Sequence, residues 1–331
     1  TSTLAQLDDL QVVKSRTPYP ENKSDKQIAE EFSVDGVIWG AVVRVNDTFT
    51  INADLVDGRS GFVEFTRPYE ANMDTLFDTQ EEVANDVRRA IRGESSPVLK
   101  TSSRPANYQV LERFWRADYE FAKRSQESMK DAIDLYNETI EMDRSYGPAY
   151  LKLAYATALL PDYANVDRAE MYERALRIVA DGVQADPATE TQAATVYGFV
   201  HHKLGDWITS EEYYQKSLQG DVVLPETHQL YSRLLASVGR LEESLEQAQL
   251  AREMDPESAV LISRLAISYY WMDDIANARY LFELAEDRPE LVLPINDLAY
   301  ALLLISQGDF DKAAVFARNA LENANLASAW V

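Results

Sequence analysis

Cysteine is absent from all 331 residues, which excludes disulfides and thiolate chemistry. Its absence leaves the redox compartment open, because proteins of oxidising spaces also fold without bridges. Histidine is nearly as scarce, with three in the chain. A zinc site would have to combine His201, His202 and carboxylates such as Asp206. Adjacent histidines on a helix point about 100° apart, a poorer chelating pair than one spaced i, i+4. The expected state of that pair is one histidine in the core and one at a groove, with no metal. Phosphate-binding loops are missing too: there is no GxxxxGK[ST], and no GxGxxG follows a strand. Nor is there a GxSxG elbow. No catalytic residue and no cofactor site is therefore expected, and the chain does not read as an enzyme.

No apolar run approaches the roughly 18–20 residues of a membrane-spanning helix. The opening TSTLAQLDDLQVV carries no basic n-region, no cleavage site and no initiator Met. The expectation is a portion cut from a longer protein, with any anchor or targeting segment outside it. Three N-x-[ST] sequons, at Asn22, Asn46 and Asn137, are of the frequency chance supplies.

Basic charge is the other shortage. The net charge is −23, from 32 Lys/Arg against 55 Asp/Glu. Residues 1–104 hold 12 basic and 18 acidic side chains, a net of −6, which leaves −17 on the remainder. Such a surface repels phosphate backbones and anionic lipid heads, so nucleic acid is excluded as the expected partner. Most carboxylates read as solvated helix faces.

What the chain does have is repetition. Small residues recur at Gly198, Ser232, Ala266 and Ala301, each preceded by a large apolar one (Tyr197, Tyr231, Leu265, Tyr300). Seven positions later stand turn residues, Gly205, Gly239, Asp273 and Gly308, and five beyond those a second small set, Ser210, Ser244, Ala278 and Ala313. The intervals from Gly198 are 34, 34 and 35 residues. Asp186–Pro187 and Asp255–Pro256 close units, since Pro can open the next helix but not continue the last. Two units lie upstream. One carries Ala154 and Ala175 with an insert near 161–167, and the other runs from about Pro105 with Ala132 and Tyr136 on its second helix.

This period and pattern resemble the tetratricopeptide repeat, over about 105–327. The resemblance implies an all-α superhelix of about six helical hairpins spanning 105–331, the last uncapped at 323–331. Stacked hairpins supply one another's core and leave their first helices lining a concave groove. Placed on the family's register, the groove positions are Lys152, Tyr155, Phe199, His202, Lys203, Gln229, Arg233, Ser263, Arg264, Ile267, Tyr270, Trp271, Leu298 and Leu302. Aromatic anchors beside cations suit a protein or peptide ligand, an acidic one included. Some members of that family clamp a terminal carboxylate with Lys and Asn of their first helices; Arg264 fits such a cation position, but Leu230 stands where the preceding repeat would need Asn, so a clamp is not expected.

Residues 1–95 read as α+β: a strand at 10–15, a helix over 25–32, strands at 34–45, 49–56 and 62–67, and a helix from 74 or 75 to 91. Leu76, Val83, Val87 and Ile91 share one face of that last helix. The run from Asp35 to Val42, then Ile51–Asp57 and Gly61, resembles the TolB amino-terminal-like domain, less its first strand. A linker is expected at 96–104. That resemblance implies bacterial proteins in which such a domain precedes repeats, often in membrane-anchored transcription regulators or nucleotide cyclases. Two functions are thus expected to compete: a protein-binding scaffold, and an extracytoplasmic sensory or regulatory module of such a protein. A periplasmic location is expected, with a cytoplasmic one as the alternative, and self-association as a homodimer stays open.

Overall fold

The computed structural model describes residues 13, 23–46, 48–73, 75–92, 103–220, 223–286 and 294–323. Internal contacts divide the chain into two units, Thr1–Gln109 and Val110–Val331.

In the first unit, helix α1 (Asp25–Phe32) starts at a capping box. The Ser24 hydroxyl accepts from the Gln27 amide at 3.3 Å, and Gln27 Oε1 accepts from the Ser24 amide at 2.8 Å. Ser33 ends it in the left-handed region, φ 53°. Strands β1 (Gly36–Val45), β2 (Thr48–Asp57) and β3 (Val63–Ala71) form an antiparallel sheet in the order β1-β2-β3. Asn46, at φ 56°, turns β1 into β2. Gly58 sits so close to Ala29 that a Cβ there would lie 2.6 Å from the alanine's own. Helix α2 (Leu76–Arg92) covers the sheet with Val83, Ala84 and Val87, against Phe65 of β3.

Two expectations shift. β3 runs on past Arg67 through Pro68, which an outer strand accommodates because its missing N–H is needed on one side only. Ile91 is exposed, and Phe77 and Ala84 take the buried positions of α2. The strand expected at 10–15 lies outside the described residues apart from Val13, as does most of the linker expected at 96–104.

The second unit is a series of helical hairpins. In order these are α3 (Tyr108–Ala122) with α4 (Gln126–Met142), α5 (Gly147–Leu159) with α6 (Arg168–Ala185), and α7 (Glu190–Leu204) with α8 (Trp207–Leu218). They continue as α9 (Pro225–Ser237) with α10 (Leu241–Met254), α11 (Ala259–Trp271) with α12 (Ile275–Glu286), and α13 (Pro294–Ser306) with α14 (Phe310–Asn323). The helix start expected at 323–331 lies outside the described residues beyond Asn323.

The recurring small residues are the crossing points. Gly198, at the α7–α8 crossing, faces Tyr214, and a Cβ there would lie 2.9 Å from its ring. Ser210 Oγ donates to the Gly198 carbonyl at 2.7 Å. Ser232 and Ser244 exchange hydroxyl-to-carbonyl bonds at 2.7 and 2.8 Å. Ala266, Ala278, Ala301 and Ala313 are buried at the equivalent places. The four turn residues adopt the left-handed conformation that ends a helix sharply, with φ of 78° at Gly205, 81° at Gly239, 58° at Asp273 and 78° at Gly308.

First helices pack on one another in line, α5 on α7, α7 on α9, α9 on α11 and α11 on α13, so they form the inner row. Each also touches its own partner and the preceding second helix. They are consequently buried almost all round: Leu261 to Ser268 of α11 are buried without interruption. The core falls into two clusters, one from Val110 to Leu235 and one from Ala248 to Ala313.

The tight crossing at Gly198 generates a stability prediction. Gly198→Val is expected to force Tyr214 off its seat and cost about 1–3 kcal/mol. Urea unfolding of the whole chain measures it, and an unchanged midpoint would show that the α7–α8 crossing has room to spare.

Candidate functional site

The positions expected to line a groove divide into two sets. Phe199, Gln229, Ser263, Arg264 and Ile267 are buried, and this corrects their placement on an open surface. The cause is the three-sided enclosure of first helices, which leaves only a narrow strip of each facing outward. Ser263 turns its hydroxyl to the Ala259 carbonyl at 2.5 Å, and Ile267 joins the second core cluster. Phe199 forms the floor beneath Tyr155, edge to face at 5.0 Å, while Tyr155 also meets Phe121 at 5.5 Å. Leu230 is buried as well, so it offers nothing to a ligand.

Lys152, Tyr155, His202, Lys203, Arg233, Tyr270 and Leu298 are half-buried, and Trp271 and Leu302 are exposed at 39% and 44%. Lys152 bridges two hairpins, its Nζ 3.6 Å from Glu226 at the start of α9. Burial works against its charge, but Glu226 and then Asp118 outweigh burial and raise its pKa.

The centre of the strip is cationic. Lys203 Nζ lies over the Phe199 ring at 5.6 Å and pairs with Asp162 at 2.5 Å. Burial pulls the Lys203 pKa down and Asp162 props it up, while Arg233 pulls it further down. Arg233 makes no ion pair among the described residues. It nevertheless depresses the pKa values of His202, Lys203 and Arg264 by its charge. Arg264 stacks on Trp271, its guanidinium carbon 4.6 Å from the ring centre. It is 7% exposed, and its Nε and Nη2 are buried with no hydrogen-bond partner. Burial first, then Arg233, lowers its pKa to about 9, so it stays charged at neutral pH.

His202 completes the cluster as a neutral member. Ser237 spends its one hydroxyl proton on the Arg233 carbonyl at 2.9 Å, so the His202 Nε2 lying 3.1 Å from that oxygen must donate. Burial, helped by Arg233 and Lys203, lowers the His202 pKa to about 4. Three positive charges, on Lys203, Arg233 and Arg264, thus act on one another within a unit whose net charge is −17, and Asp162 pairs with the first of them.

Sequence reasoning missed Asp162. It sits in the 3-10 turn Leu160–Asp162, within the insert that interrupts the repeat period, so no spacing could assign it a position. His201, by contrast, stacks on Tyr213 and lies 3.3 Å from Asp206, away from His202. No group of three or more metal-ligating side chains occurs among the described residues, and none of their helices is long and apolar enough to cross a membrane.

The neutrality of His202 generates a pH prediction. Its folded pKa lies below the ordinary 6.5, so the unfolded chain binds the proton first and stability falls as pH drops from 6.5 towards 4. Between pH 7.5 and 5 the wild-type chain is expected to lose about 2 kcal/mol more than His202→Gln. Urea midpoints at the two pH values check this, and equal losses in both proteins would refute it.

No family model matches the sequence, and no curated protein matches it either. Among solved structures, human IFIT1, determined as a dimer with m7Gppp-AAAA, is similar over 75% of this chain and 55% of its own, with 14% identity and a TM-score of 0.52. A tetratricopeptide repeat protein from Parabacteroides merdae is similar over 76% of this chain and 89% of its own, at 17% identity and a TM-score of 0.45. A thermophilic TPR protein of Thermus thermophilus is similar over 60% and 94%, at 19% and 0.41. The repeat period, the small-residue crossings and the left-handed turns give the chain its fold class: a small α+β unit followed by an all-α tetratricopeptide-repeat array.

Proposed function

We propose that the repeat unit is a protein-interaction scaffold that holds a segment of a partner protein along its inner helices. The observation that carries this reading is the cationic cluster of Lys203, Arg233 and Arg264, set on an aromatic floor in an otherwise acidic unit. Positive charge retained there against a net of −17 favours an acidic segment over a polyanion, which the rest of the surface would repel. Tyr155, Trp271 and Leu302 add apolar contact on either side.

Peptides selected on the full chain from a random library test the reading. Those that bind are expected to carry Asp or Glu and to lose at least tenfold in affinity to Arg233→Glu/Arg264→Glu. They should keep it with Arg177→Glu, whose side chain is exposed on the second helix α6. Equal binding to all three proteins would sink the inner-row site.

A second reading is favoured by the first unit. Its capped helix, three antiparallel strands and covering helix agree with a TolB amino-terminal-like domain, and hence with a periplasmic sensory module of a membrane-anchored regulator or cyclase. Alkaline phosphatase fused to the chain in its native full-length gene tests the compartment. Phosphatase activity is expected, and an inactive, stably expressed fusion would reject the periplasm.

A further inference from the structure

The two edges of the first unit's sheet are built differently. β3 carries the devices that keep an outer strand from pairing. Pro68 has no N–H to offer, Glu64, Arg67 and Glu70 place charge along the strand, and its register against β2 breaks at Leu55/Val56. β1 carries none of them. Its ten residues, Gly36 to Val45, pair with β2 in an unbroken register, include no proline and one charge, Arg44, and are exposed from Gly40 onward. A long, regular, apolar edge of this kind is a template for another strand.

The pairing of Val45 with Thr48 closes a two-residue hairpin, so Val45 exchanges its hydrogen bonds with β2. By alternation, the N–H and C=O groups of Gly36, Ile38, Gly40, Val42 and Arg44 turn to the open side. The side chains of these residues share a face with the buried Leu55 and Ala53 of β2. Ile38 and Val42 are nevertheless exposed at 42% and 64%, because α2 packs over β3 and β2. A Cβ at Gly40 would meet nothing nearer than the Asn52 carbonyl, at 4.0 Å, so the described fold does not demand a glycine there. With no bulge at that point, a mid-strand glycine fits the close approach of another backbone.

We propose that β1 pairs with β1 of a second copy of this chain, antiparallel about a two-fold axis at Gly40. In that register Ile38 of each copy meets Val42 of the other on the apolar face, and Val37 meets Val43 on the opposite face. Arg44, the only charge of the strand, comes opposite Gly36, which sets the two arginines roughly 26 Å apart. β1 has no acidic residue, and residues 1–104 hold −6 of the total −23, so the contact falls in the less acidic part of the chain. Closure favours a second copy over a foreign strand. The union consumes the unguarded edge of each sheet and leaves the guarded β3 at both ends. The pairing is independent of what the repeat unit holds.

Sedimentation equilibrium of the full chain is expected to show monomer and dimer and no larger species. Val42→Lys puts a charge on the open edge and should raise the dissociation constant at least tenfold, while Glu64→Lys, at an exposed position of β3, leaves it unchanged. Single cysteines read the register, since the chain has no native thiol to compete. Gly40→Cys stands on the axis, where opposed Cα atoms lie about 5.5 Å apart, within reach of a disulfide. Val45→Cys would be roughly 33 Å from its counterpart. Mild oxidation is expected to link Gly40→Cys at least tenfold faster than Val45→Cys. Equal rates overturn the pairing, as does growth beyond the dimer or a chain that stays monomeric up to roughly 200 µM. Amide exchange identifies the occupant: the Ile38 and Val42 N–H groups are expected to be protected in the dimer and to exchange freely on dilution. Protection that persists in the dilute monomer would assign the edge to another segment of the same chain and overturn the second copy.

Discussion

The close crossing of two helices at a pair of small side chains is the constraint from which the repeat unit follows. A hairpin can bring its helices together only where neither carries bulk, and the pairs Gly198 with Ser210, Ser232 with Ser244, Ala266 with Ala278 and Ala301 with Ala313 mark those places. Where the pair is hydroxylic, the closeness is used. Ser232 and Ser244 satisfy each other's backbone carbonyls across the crossing, so polar side chains are buried without an unmet bond. The left-handed residue between them, Gly205 in one hairpin and Asp273 in another, reverses the chain so that the second small residue returns opposite the first.

Close crossing has a consequence for function. A first helix pressed on by its partner, by the preceding second helix and by the neighbouring first helices has almost no free face. Polar groups on it must find partners inside. Thr195, Ser217 and Thr227 do so as a three-hydroxyl link between α7, α8 and α9, at 2.7, 2.7 and 3.3 Å. Lys203 does so with Asp162. Arg264 and, one turn further along α11, Ser268 do not, and the hydroxyl of Tyr214 on α8 is buried without a partner as well.

Sequence pattern reached the crossings and the turns because both are local. A small residue and a turn residue at fixed spacing are dictated by one hairpin, whatever surrounds it, and all four turns appear at the expected positions. It reached the groove residues less well. Phe199 and Trp271 both came from the register as groove aromatics, yet one is fully buried and the other exposed. That difference is set by which neighbouring hairpin overlies each position, and spacing within a hairpin says nothing of it. The Lys203–Asp162 pair joins residues of two hairpins across an insert that breaks the period, so it is legible only in three dimensions. The strand expected at 62–67 was too short for a related reason: β3 runs on through Pro68 to Ala71, and an outer strand has a side on which no N–H is required.

The cationic cluster persists by an internal accommodation. Placing Lys203, Arg233 and Arg264 together would be untenable if His202 also carried charge, and its burial beside Arg233 keeps it neutral through the physiological range. Asp162 offsets one charge and leaves two. The acidic remainder of the unit supplies a distant, screened attraction that falls away over about 10 Å at ordinary ionic strength, too far to substitute for a partner in contact. A hydrophobic residue at 264 would relieve both the repulsion and the unmet hydrogen bonds. Against that relief the fold sets one contact that only a cation makes, the stack of Arg264 on the Trp271 ring.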